Sequence, residues 1–134
     1  MKKLLLTLSI IVFAIQHSYS QMHITTYLTR TAIYNEYREE YEEVDKIDEV
    51  TFFEFNKGLT LFEHTTNTIK SSYTIQSYKQ DKLNDRWEFI ILSDVGNKYM
   101  MIIDFPNNNL RFICVRDGVT YLKQYSIKRV WFDE

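Results

Sequence analysis

The sequence predicts an all-β domain, an antiparallel meander of about eight strands closing as a small barrel. Two observations carry this reading. From Val50 onward, short apolar and aromatic runs alternate with polar turn clusters about every ten residues, the rhythm of strands joined by hairpins. The chain also holds ten Tyr and nine Phe against one Pro, and its three glycines all fall in turn clusters, where a permissive backbone is useful. There is no linker, internal repeat or Pro/Gly/Ser tract, so one domain is the economical reading.

Residues 1–20 read as a cleaved leader rather than as part of the fold. Lys2 and Lys3 precede an uncharged, mostly apolar run from Leu4 to Ala14, and Ser18-Tyr19-Ser20 sets small residues at the positions before a cut at Gln21. The apolar run is short for a membrane span. The domain is then 21–134, with 114 residues and a net charge of −4 once two lysines are removed. An extracytoplasmic location, periplasmic or secreted, follows, with no transmembrane segment after cleavage.

In chain order, His23–Thr31 reads as a strand rich in Thr, Ile and Tyr. Residues 31–49 allow two readings. Ile33, Tyr34, Tyr37, Tyr41, Val44 and Ile47 recur at helical spacing, which would give one short helix. A hairpin, Ala32–Tyr37 returning as Tyr41–Ile47, uses the same residues and suits Tyr better. Val50–Asn56, Leu59–Thr66, Ser71–Gln80, Arg86–Ser93, Lys98–Phe105 and Leu110–Arg116 follow as strands. Asp117-Gly118 between Arg116 and Val119 is a two-residue hairpin signal, because a type I′ turn needs positive φ at both positions.

The strand faces bear on function. Trp87, Phe89 and Ile91 share one face, with Ile90 and Leu92 on the other; Tyr99, Met101, Ile103 and Phe105 likewise oppose Met100 and Ile102. Trp87, Phe89, Ile91, Tyr99, Met101 and Phe112 are therefore the candidate ligand- or partner-contact residues. The second apolar face needs a cover. The cover is either a partner or second copy of the chain, or, as the favoured arrangement, the Tyr-rich 31–49 segment folded back so as to bury Tyr34, Tyr37, Tyr41 and Val44.

Composition and motifs exclude several chemistries. A slightly acidic chain is a poor phosphate-backbone binder, so no nucleic-acid partner is expected. Aromatics among Lys123, Lys128 and Arg129 near the C-terminus read as a cross-strand ladder. Eight carboxylates between Glu36 and Glu49 have no glycine turn of the kind a calcium loop uses, and read as a solvated face. No metal or cofactor is expected. The single Cys114 lies between Ile113 and Val115 and reads as a buried, inert thiol. His64, without a second histidine at ligand spacing, reads as a strand-surface residue. No G-x-S-x-G, S-x-x-K, H-E-x-x-H or phosphate-cradling glycine loop occurs.

The run Ser93-Asp94-Val95-Gly96-Asn97-Lys98-Tyr99 and the ending Tyr125-Ser126-Ile127-Lys128-Arg129-Val130-Trp131 resemble small exported lipocalin-like β-barrel proteins, a likeness spanning most of 24–131. That resemblance implies an up-and-down barrel with a binding interior. The G-x-W of a lipocalin first strand has no counterpart, since the first Gly is Gly58 and the first Trp is Trp87; no family binding residue carries over. The expected function is an exported, non-catalytic binding module for a small apolar molecule or a protein partner. Two alternatives stand beside it: an interaction or inhibitor-type domain with a side-chain-filled barrel, and an enzyme with a carboxylate/His site that leaves no linear motif.

Overall fold

The computed structural model describes residues 21–133; the expected leader lies outside the described residues. Eight strands follow one another: β1 (Met22–Asn35), β2 (Glu40–Phe55), β3 (Leu61–Thr65), β4 (Lys70–Asp81), β5 (Arg86–Ser93), β6 (Lys98–Asp104), β7 (Asn109–Arg116) and β8 (Val119–Phe132). Each pairs antiparallel with the next, and β8 returns to β1 to close the barrel. Closure removes the two outer edges an open meander would have, although β2 pairs with β3 only over Phe52–Phe55.

Segment 31–49 is the hairpin, not the helix. β1 runs unbroken to Asn35, residues 36–39 turn, and β2 returns with Tyr34 opposite Tyr41. Asn35 fastens the turn, its Oδ1 accepting from the Tyr37 and Arg38 amides at 2.9 and 3.2 Å, an Asx-type lock that competes with helix formation. The expected cover over the barrel wall does not form. β1 pairs with β8 only as far as Ile33 opposite Tyr121, so the hairpin tip projects past the wall, and Tyr37 is 100% exposed. Tyr34 and Tyr41 pack edge to face on each other, 5.2 Å between ring centres. The stripe of tyrosines is a feature of the hairpin itself.

Register shifts at Thr26/Leu28 and Thr31/Ala32 in β1 and at Ile75/Ser77 in β4 add the local bend that lets short strands wrap into a closed wall. At the β7–β8 turn, Asp117 and Gly118 have φ of 52° and 77°, the pair of left-handed residues a type I′ turn requires.

The interior has two unlike halves. Toward the chain termini, Met22, Ile24, Phe53, Phe55, Phe62, Phe89, Ile91, Met101, Ile103 and Leu110 are buried and fill the barrel. Phe55 and Phe62 stack at 4.8 Å, and Trp87, Phe105, Leu59 and Val130 close that end. Asp104 is tied in by Asn107 Nδ2 and Arg111 Nη2, which donate to its Oδ2 at 3.0 and 3.4 Å. Toward the β1–β2 and β7–β8 turns the inward positions mix Thr, Ser, Tyr and charged side chains with a few apolar ones such as Ile47 and Phe112, and they enclose a cavity rather than a packed core. The buried Thr26–Thr51 hydroxyl pair, 2.6 Å apart, marks the boundary.

On the outer wall, Ile90, Met100, Ile113 and Leu122 are register partners across β5 to β8. They form an apolar row that is half-buried to exposed and uncovered by any described residue.

Candidate functional site

β3 is five residues long and meets β2 only along Phe52–Phe55. The stretch of β2 from Glu40 to Thr51 therefore has β1 on one side and no strand on the other. The wall is incomplete there, between upper β2 and the β3–β4 turn. The two sides approach at one point, where the Asn67 amide donates to Glu49 Oε1 at 3.4 Å. Behind this gap lies a cavity of about 420 Å³, bounded by Asp45, Ile47 and Glu49 of β2, by Thr66, Ile69 and Ser71 around the turn, and by inward residues of β1, β6, β7 and β8.

Its floor is aromatic. His64 stacks on Phe53 at 4.1 Å with the rings 5° from parallel, and Tyr125 meets both rings edge-on at 5.1 Å. Phe112 stands 5.7 Å from Tyr125 and 5.5 Å from Tyr73. His64 is 7% exposed, and its Nε2 has no hydrogen-bond partner. Burial first, and the Lys123 ammonium second, push its pKa down to about 4, because both penalise the imidazolium. At neutral pH it is an uncharged imidazole with one ring nitrogen unsatisfied. Such a group costs free energy until something bonds it. Burial likewise raises the phenol of Tyr73, to about 12, with Tyr99 and Asp94 adding to it, and raises that of Tyr125, so both remain hydroxyls.

The walls carry charge of both signs. Asp45 and Glu49 line the β2 side; Lys123 on β8 and Arg116 on β7 line the other. None of the four joins an ion pair among the described residues. Arg116 Nη2 donates to the Tyr99 hydroxyl at 3.0 Å, which holds Tyr99 at the rim. Among the described residues no group of three His, Cys, Asp or Glu side chains could hold a metal ion, and no helix is long and apolar enough to cross a membrane.

The six contact candidates divide between the two halves. Tyr99 and Phe112 line the cavity. Phe89, Ile91 and Met101 are buried in the filled half, with Trp87 packed against them. Two other residues differ from expectation. His64 is not a strand-surface residue but part of the cavity floor, since it lies two positions after the inward Phe62 and opposite Phe53. Cys114 is not buried in the core: it lines the cavity and is half-exposed, because β7 passes out of the filled half after Phe112. The residues that sequence reasoning missed are His64, Glu49, Tyr73, Lys123 and Tyr125. Alternation from Phe62 and Phe53 held a signal for His64 and Glu49, whereas nothing local marked Lys123 as facing inward.

Compared with protein-family models, with curated proteins and with solved structures, the chain matches none.

Proposed function

We propose that this protein is an exported, non-catalytic binding module that holds one small molecule in the open half of its barrel. One observation carries the reading: a cavity of about 420 Å³, reached through the gap beside upper β2, is lined by the rings of His64, Tyr73, Phe112 and Tyr125 with a few charged groups on its walls. Small-molecule sites are concave, aromatic-lined and furnished with a few polar groups, in the range of about 300–1,000 Å³. The lining favours a ligand with polar groups over the purely apolar one expected from the sequence, because Glu49, Asp45, Lys123 and Arg116 share the walls. A binding role fits His64 better than a catalytic one. A histidine base in a nucleophile pair is oriented by a third group, and among the described residues His64 is stacked on Phe53 with no carboxylate bonded to it.

The test uses protein recovered undenatured from the exported fraction of its own cells, where the mature chain should begin at Gln21. Mass spectrometry of a solvent extract should find about one small molecule per chain. Stripping it should speed alkylation of Cys114, the sole thiol; a site about 90% occupied slows such a reaction about tenfold. Protein that carries no molecule, with Cys114 reacting at one rate before and after extraction, would overturn the reading.

A second reading, a protein-contact face, is favoured by the outer row Ile90, Met100, Ile113 and Leu122, since grouped apolar surface marks interaction sites. Light scattering should then give a particle larger than one chain, reduced to one chain by Met100→Lys.

A further inference from the structure

The charges on the cavity walls are opposite in sign, unpaired, and arranged in order around the barrel. Thr31 of β1 is the register partner of Asp45 on one side and of Lys123 on the other. The carboxylate and the ammonium therefore stand in one inward row, two strand spacings or roughly 10 Å apart at the backbone. Glu49 lies on the β2 side nearer the floor, and Arg116 lies beyond Lys123 on β7. Between these poles the lining is aromatic and hydroxylic: Phe112, Tyr73, Tyr125 and the neutral His64.

Resting on the small-molecule reading above, we propose that the cavity takes a dipolar ligand. This is a flat or aromatic body with an anionic group at one end, for Lys123 and Arg116, and a cationic group at the other, for Glu49 and Asp45. The reason is what each alternative leaves behind. Asp45, Arg116 and Lys123 are solvent-exposed and Glu49 is half-buried, so an apolar occupant would take water chiefly from the Glu49 carboxylate and offer no opposite charge to any of the four. A simple anion would satisfy Lys123 and Arg116 while drying Glu49, and a simple cation would do the reverse. Only a ligand carrying both signs matches both walls, and a site discriminates by the groups it leaves unpaired. The body packs on the Phe112, Tyr73 and Tyr125 rings.

The experiment compares four probes that share one ring: 4-(aminomethyl)benzoate, 4-methylbenzoate, 4-methylbenzylamine and p-xylene. Binding to the stripped, mature protein is read by calorimetry and by protection of Cys114 from alkylation. The zwitterion should bind about tenfold tighter than either singly charged probe, the value of one added charge-assisted contact. Glu49→Gln should remove its advantage over 4-methylbenzoate, and Lys123→Met its advantage over 4-methylbenzylamine. Both side chains are reached by solvent, so both variants should fold, which unchanged thermal unfolding confirms. Equal affinity for the zwitterion and 4-methylbenzoate reduces the site to an anion pocket and overturns the dipolar inference. Equal binding of p-xylene makes it an apolar pocket and overturns it too. In both cases the small-molecule reading stands. Binding of none of the four also overturns the inference, while the extracted native molecule decides the broader reading independently.

Discussion

Lowering the pH from 7.5 to 4.5 should destabilise this protein through His64, and the size of the effect follows from where that imidazole sits. Its folded pKa is pushed down to about 4 by burial and by Lys123, against the ordinary 6.5. Above pH 6.5 the histidine is neutral both folded and unfolded and contributes nothing to pH dependence. Below 6.5 the unfolded chain takes up a proton that the folded chain refuses, so stability falls with pH until the folded group also protonates near 4. The loss is about 1 kcal/mol at pH 5.5 and about 2–3 kcal/mol at pH 4.5. For a domain of this size that is a large share of the total. Urea unfolding of the wild type and of His64→Asn at four pH values isolates the term, because every other titrating group is common to both chains. The difference in unfolding free energy should be flat above pH 6.5 and shrink below it. Parallel curves for the two proteins would refute the reasoning, since a histidine that takes its proton equally well in both states is not held in a dry, cation-facing site.

Three further outcomes are expected. Phe53→Ala should cost about 3–5 kcal/mol in urea unfolding, because Phe53 is fully buried and packs on Phe62, His64, Phe112 and Tyr125. Tyr37→Ser should change stability by less than about 0.5 kcal/mol, since the side chain is wholly exposed at the hairpin tip; a loss of several kcal/mol would restore the covering role expected from the sequence. Gly118→Ala should cost about 1 kcal/mol in thermal or urea unfolding, as alanine is strained at a φ of 77°.

Local chemistry made much of the fold legible. Arg86–Ser93 begins and ends in the structure where the turn clusters place it, and Asp117-Gly118 turns as its two residue types require. Those features depend on backbone preferences within a few residues, which sequence encodes directly. The 31–49 segment was harder because Tyr and Val at three- and four-residue spacing satisfy a helix face and a hairpin at once. The Asn35 lock on the turn and the β8 partner decided it.

By itself the sequence determined the strand rhythm, the turn types and the alternation that sends Phe53, Phe62, Phe89 and Met101 inward. Only the tertiary structure decided what the interior is. Whether an inward residue meets packed side chains or a cavity depends on its height in the barrel, and height is set by register between strands far apart in the chain. Phe89 and Tyr99 read alike in sequence, yet one fills the closed half and the other stands at the open rim. Lys123 and Asp45, 78 positions apart in the chain, become neighbours across Thr31 only when β8 closes on β1. The gap beside upper β2 exists because β3 ends at Thr65, leaving twelve residues of β2 without a second partner. No local preference sets that length: it is fixed by where the β3–β4 turn falls against the rest of the wall.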